Sequence, residues 1–459
     1  MSNMEKKLEL AKIIFLQKLI RARKNNRDSN YDHFRDIFCG NYKDITYYEL
    51  KNLFEKKVEE CNKTDVYIHI PFCKSKCTYC PYFSFPPKSN DKKNYLKYLE
   101  KCFYLFEPVL KRIDAECVIV GGGTPSIFSD EELERFTNLL QRYIKFKEGY
   151  FERTFEFRFE DISRKKLEML ENAGFNRFSF GIQSFNKETL RLVNRSYVAP
   201  EEVKKFVDYC KNTFNFVINV DLMIAIGNHT EEDVLNNLEL VMQTRVDTIA
   251  LYTVHNLLHT SKMYKDAGSL EEFYKRVASL YERIDSLAAK YGFSRGLMGM
   301  YGIKYGTILY NSPDKFNCRY SNNPKDVLKR ACLLSFGWSS FGKIENTLEY
   351  YIPKKPHYEP KDIPIKAESF TPRKERVRFL GNSLRNGEIN TDDYFKIFET
   401  RFEQDFSTEL KFLLERKILK KVENSYLWNI NKVNKKIYYF GIFYSLEELI
   451  KIFKQERAC

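Results

Sequence analysis

Tyr67-Ile-His-Ile-Pro-Phe-Cys73-Lys-Ser-Lys-Cys77-Thr-Tyr-Cys80-Pro-Tyr-Phe83 sets a short apolar strand directly before three closely spaced cysteines. Thiolates are soft ligands, suited to iron–sulfur clusters and to zinc. A structural zinc site asks for four ligands, usually as two pairs. Here there is one trio and no second pair, with His69, inside the strand, as the nearest other ligand. Three cysteines that merely share a loop are the bland alternative. The spacing favours a cluster with three protein ligands, which leaves one iron open for a substrate or cofactor.

Outward from this loop, short β-rich runs alternate with helical stretches. Strands are predicted at Val66–Ile70, Cys117–Val120, Thr154–Phe159, Phe178–Ile182, Phe216–Ile226 and Thr248–Val254. Helices are predicted between them, near Arg164–Ala173, Lys187–Val193, Glu201–Lys211 and Glu231–Gln243, and afterwards near Leu270–Tyr291. Ser129 or Asp130 caps a further helix. Such βα alternation implies an α/β fold: a partial or full parallel (β/α) barrel, with chemistry at the C-terminal ends of the strands. Residues 1–60 read as a polar helical extension and 61–352 as the barrel domain. Residues 353–459 read as a linker (PKKPHYEPKD) followed by a small helical domain with a late hairpin.

Composition narrows the function classes. No run of about 18 apolar residues is present, so no membrane span is expected. The N-terminus lacks the apolar core of an export signal, which implies the cytoplasm. The 11 cysteines are odd in number, arguing against a closed disulfide framework; those outside the trio read as small core residues. The net charge of +14 comes without a dense basic run. It suits an acidic small ligand better than nucleic acid.

The spacing Cys-x3-Cys-x2-Cys resembles the signature of radical S-adenosylmethionine (SAM) enzymes. The longer string YIHIPFCKSKCTYC resembles one subgroup of them. That subgroup holds oxygen-independent coproporphyrinogen III oxidase, the related heme chaperones and the anaerobilin synthases. The resemblance implies a radical SAM barrel with a 4Fe–4S cluster on Cys73, Cys77 and Cys80. SAM then binds the open iron through its amino and carboxylate groups, and its reductive cleavage yields a 5′-deoxyadenosyl radical. By the same resemblance Tyr67, Gly122, Gly123 and Thr124 line the SAM site. Glu156, with Glu160 as competitor, meets the ribose, and Gln183, Arg195 and Asp221 make further SAM contacts. Tyr82 or Phe83 lies against cofactor or cluster, and Tyr82 and His255 are the catalytic candidates. His255 and His259 could also reach a porphyrin iron or a carboxylate.

The chain departs from the subgroup in several places. Ala225, Gly227 and His229 replace a Gly, a Pro and a Gln of the family run. Tyr82 stands where the oxidases carry a fourth cysteine, and Phe316–Tyr320 lacks a histidine usual in the chaperones. Glu156-x-Arg158 is closer to heme-degrading relatives. The expectation is therefore an anaerobilin synthase-like enzyme that methylates and opens heme with iron release. The alternatives are a heme chaperone, an oxygen-independent coproporphyrinogen III oxidase, or another class C radical SAM methyltransferase. A second SAM near Met300–Tyr310 and an electron donor such as flavodoxin or ferredoxin belong to the expectation.

Overall fold

A computed structural model describes residues 43–429, apart from short internal stretches of which 254–259, 299–306 and 312–330 are the longest. The chain forms two units. The larger, Lys43–Gly299 with Gly306–Ser369, is built on one 13-stranded sheet. In chain order its strands are β1 (Lys43–Ile45), β2 (Lys63–Ile70), β3 (Val118–Gly122), β4 (Arg153–Phe157), β5 (Arg177–Gln183), β6 (Val217–Ile224) and β7 (Thr248–Thr253). They continue with β8 (Ser294–Met298), β9 (Thr307–Asn311), β10 (Ala331–Phe336), β11 (Phe341–Ile344), β12 (Leu348–Tyr351) and β13 (Ile365–Ser369).

Strands β2 to β7 lie side by side in chain order, all parallel. β10 joins the free side of β2, also parallel. β3 is buried along its whole length, and β5 and β6 nearly so, as expected of parallel strands covered on both faces. The covering helices are amphipathic and well started: Thr46, Ser129 and Thr230 each close a capping box with the acidic residue three positions on. Interlocked rings of Phe155, Phe157, Phe178 and Phe180 fill part of the core.

The six predicted strands are present with small shifts of their ends. Antiparallel strands flank the parallel run, β9 then β8 beyond β7, and β11, β12, β13 and β1 beyond β10. Among the described residues no pairing closes the sheet on itself. Of residues 1–60, 1–42 lie outside the described residues. The remainder is built into this unit: β1 pairs with β13, and Tyr47, Leu50 and Phe54 of the Tyr47–Lys57 helix are buried.

The reading of Cys61 and Cys332 as isolated core residues is corrected: their sulfurs are bonded. The cause is register. β10 lies beside β2 with Cys332 opposite Thr64, which brings Cys61, just upstream, within reach. Cys102, Cys117 and Cys210 are buried. Cys39, Cys318 and Cys459 lie outside the described residues.

The described part of the smaller unit has helices Thr391–Phe398, Phe402–Asp405 and Ser407–Glu415. They accompany a sheet of β14 (Glu388–Asn390), β15 (Leu419–Val422) and β16 (Ser425–Trp428), of which the last two form the late hairpin. Tyr394, Phe402, Phe406 and Tyr426 make its core.

Candidate active site

The cysteine loop leaves the C-terminal end of β2. Its base is closed by Phe85 N–H donating to Pro71 O (3.0 Å) and Cys73 N–H to Phe85 O (3.1 Å). Its far side is tied to the segment after the Lys187–Leu192 helix: Thr78 N–H donates to Val193 O (3.2 Å) and Asn194 Nδ2 to Lys76 O (2.8 Å). Lys74 pairs with the buried carboxylate of Asp161. Cys77 is buried, and Cys73 and Cys80 are half-buried. Burial, opposed by Lys76, pushes the Cys80 thiol up to about 11, and the neighbouring Cys77 and Cys73 push the same way. Crowded thiolates of this kind require a bound cation to stay ionised.

The turn after β3 packs directly beneath this loop. Gly123 N–H donates to Ile70 O (2.8 Å) and Thr124 N–H to Phe72 O (2.7 Å), while Thr124 Oγ1 lies 3.2 Å from Cys73 Sγ. Gly122 has φ +103°, and a Cβ there would stand 2.5 Å from the His69 ring; one on Gly121 would stand 2.7 Å from the Glu156 carboxyl. Both positions are therefore closed to side chains. His69 is not a free ligand. Its Nδ1 lies 3.0 Å from Tyr67 OH, its Nε2 lies 2.9 Å from Phe83 O, and burial lowers its pKa to about 4. Of the sequence alternatives, zinc held by the trio and His69 loses its fourth ligand.

Two half-buried carboxylates stand on β4 and β6. Glu156, on β4, accepts a bond from Gly122 N–H at 3.3 Å. Burial, and then the charge of Asp221, raise it to about 7. Asp221, on β6, is raised by burial to about 6 and accepts from Asn219 Nδ2 (2.7 Å) and Ser179 Oγ (3.2 Å). Gln183 has φ +70° and a buried Oε1 without a hydrogen-bond partner. Arg195 donates to Gly181 O, and its Nη1 lies 3.9 Å from Cys77 Sγ. A Cβ on Gly181 would stand 2.7 Å from Gln183 Nε2 and 2.8 Å from Arg195 Nη2, so both side chains pack against this glycine.

The structure thus gathers Cys73, Cys77, Thr124, Gln183 and Arg195 around one loop, with Glu156 and Asp221 below it. Tyr82 is 52 % exposed, and Phe83 packs its ring on Phe85. The glycine turn at Ser335–Ser340 abuts the backbone of His69, and Trp338 is fully buried. His229 is buried against Ser184 Oγ (2.6 Å), and burial holds it neutral, with a pKa lowered to about 4. His255, His259 and Phe316–Tyr320 lie outside the described residues, as do most of Met300–Tyr310. Arg158, which as a strand-face arginine would ordinarily be solvated, is buried at 4 % exposure. It follows the last residue of β4, so strand alternation alone does not fix which way it faces.

The fit to a cluster rests on the donor set. Among the described residues no three His, Cys, Asp or Glu side chains converge on one ion. A four-iron cubane does not ask for that, because each cysteine reaches its own iron. Three thiols on one loop, with the unpartnered Gln183 Oε1 and the Arg195 guanidinium beside it, suit a cluster and a zwitterionic ligand.

Glu156 carries a pH signature. Its native pKa lies above the ordinary carboxylate range, so between there and about pH 7 the folded state binds more protons than the unfolded state. Stability of the ligand-free protein therefore falls as pH rises through that window, by on the order of 1–3 kcal/mol for this group. Glu156→Gln should remove the fall. Denaturant unfolding at pH 5 and pH 8 should show the variant gaining on the native protein at the higher pH; a constant difference would contradict the assignment.

Residues 67–241 match the family described as "Radical SAM superfamily". The heme chaperone HemW of Buchnera aphidicola is 30% identical over 190 residues, covering 41% of this chain and 49% of that protein. The oxygen-independent coproporphyrinogen III oxidase of Helicobacter pylori is 26% identical over 385 residues, covering 80% of each. The chain thus spans about half the length of the first of these relatives and most of the second. The solved coproporphyrinogen III oxidase of Escherichia coli superposes with TM-score 0.69 at 19% identity, over 86% of this chain and 93% of that one, and so shares the fold. Residues 67–241 thus carry a radical SAM domain. Over a wider stretch the chain is similar to the coproporphyrinogen III oxidases and heme chaperones, and the cofactors this implies are a 4Fe–4S cluster and SAM.

Proposed function

We propose that this radical SAM enzyme acts on a carboxylate-bearing tetrapyrrole, with the cluster held by Cys73, Cys77 and Cys80. The observation that carries the reading is the cysteine loop seated on the glycine turn, with Arg195 against Cys77 and two half-buried carboxylates nearby. With SAM bound, the reduced cluster supplies radical hydrogen abstraction. Arg195 and Gln183 orient the methionyl end, and the backbone of Gly122–Thr124 receives its ammonium. Glu156 accepts from the ribose hydroxyls, and Asp221 assists. Behind this wall Phe83 O accepts from His69 Nε2–H and so fixes the tautomer, and Tyr67 OH donates to Nδ1. Tyr82 and His255 remain the candidates for groups that meet the substrate.

The finer reading is methylation and opening of heme with release of iron. Arg158 after Glu156 and the absence of a fourth cysteine at Tyr82 support it. The relatives named above are an oxidase and a heme chaperone, and both activities are rivals on this site. A cytoplasmic setting, a flavodoxin or ferredoxin donor and a second SAM complete the proposal; among the described residues no helix is long and apolar enough to cross a membrane. The test is anaerobic incubation of reduced, cluster-loaded protein with methyl-labelled SAM and either heme or coproporphyrinogen III. Label in a ring-opened tetrapyrrole supports the finer reading. Carbon dioxide from coproporphyrinogen III would replace it with the oxidase, and tight heme binding without chemistry with the chaperone. Failure of every tetrapyrrole to bind would overturn the substrate class.

A further inference from the structure

Arg158 is the charged group in this site that has no settled role. It follows β4, two residues beyond Glu156, and is 4 % exposed. Its backbone N–H is fixed by Ser126 Oγ at 3.1 Å. Its Nη1 reaches Ser75 Oγ at 3.4 Å, within the cysteine loop between Cys73 and Cys77. Its Nε faces Glu160 Oε1 at 3.2 Å as an ion pair, out of line for a hydrogen bond, and its Nη2 has no hydrogen-bond partner at all. A buried guanidinium with unsatisfied donors is costly, because each donor has given up water without gaining a partner. The rest of the loop is by contrast well tied, through Lys74, Lys76 and Thr78.

Glu160 extends the arrangement. It stands beside Arg158, accepts from Ser196 Oγ at 3.1 Å, and feels the charge of Arg195 as well. Two guanidiniums thus flank the cysteine loop, Arg158 at Ser75 and Arg195 at Cys77, with one carboxylate between them. Donors in a fixed planar fork match a second carboxylate. In SAM the only anionic group is the methionyl carboxylate.

We infer that Arg158 binds the methionyl carboxylate of SAM together with Arg195, its free Nη2–H supplying the additional bond. The inference rests on the radical SAM reading and is independent of the tetrapyrrole.

The test compares two ligands on cluster-loaded protein kept without air: S-adenosylhomocysteine, which has the carboxylate, and methylthioadenosine, which lacks the whole amino-acid tail. Arg158→Gln should weaken S-adenosylhomocysteine by tenfold or more and methylthioadenosine by less than twofold, with iron content unchanged. Arg158→Lys, a point charge on a flexible stem, should recover part of the loss. Equal weakening of both ligands would mean that Arg158 only clamps the loop, and no weakening of either would mean that its Nη2 faces no ligand; each overturns the inference. Where Arg158→Gln loses iron, Arg158→Lys carries the same comparison, and an equal effect on both ligands again overturns it. Failure of the native protein to bind S-adenosylhomocysteine would instead count against the SAM site as a whole.

Discussion

Replacing Cys73, Cys77 and Cys80 together by Ala abolishes the brown colour and the iron, which the native protein purified without air holds at about four atoms per chain. The effect is expected to be all or none. The loop carries no other soft ligand: His69 is spent on Tyr67 and Phe83, and Cys102, Cys117 and Cys210 are buried elsewhere. The fold should survive, because the loop is closed at its base and tied to Val193 and Asn194 through the backbone or Asn side chain rather than through the thiols. Iron analysis and visible absorption check this. Full iron retention in the triple variant would refute the cluster assignment, and substituting Cys102 or Cys210 should leave the iron in place.

Arg195→Ala and Glu156→Ala each weaken SAM binding tenfold to a hundredfold while the cluster stays. The loss of one charged contact to a partly buried ligand costs about 1.5–3 kcal/mol. For Arg195 the lost group is the cation nearest Cys77. For Glu156 it is a carboxyl that Gly121 and Gly122 leave room for. Equilibrium dialysis with labelled SAM reads both. Unchanged affinity in the two variants would move the pocket elsewhere.

The parallel core was legible because its strands are short β-rich runs ended by turns, and several of the helices between them, those started by Ser129, Ser163, Asn186 and Thr230, carry their own cap. The site was legible for the same local reason: the trio is a single loop, and Gly121–Gly123 follow a strand. What escaped reading is non-local. β10 lies beside β2 although nearly the whole fold separates them in sequence, so neither the insertion nor the Cys61–Cys332 bond has a signature in spacing. The short strands β11 to β13 alternate over only four or five residues, too few to stand out. Arg158 and His229 look like surface or ligand groups by type. Only tertiary packing reveals that one is a buried cation and the other is held neutral against Ser184.

The central claim is that this loop holds a cluster whose open iron binds SAM for reductive cleavage. The most direct measurement is 5′-deoxyadenosine formation by the reduced, iron-replete protein incubated without air with SAM and a tetrapyrrole. The account predicts its appearance with the native protein and its absence with the Cys73, Cys77, Cys80 triple variant. Iron-replete native protein that yields none, or a triple variant that yields as much, would contradict it.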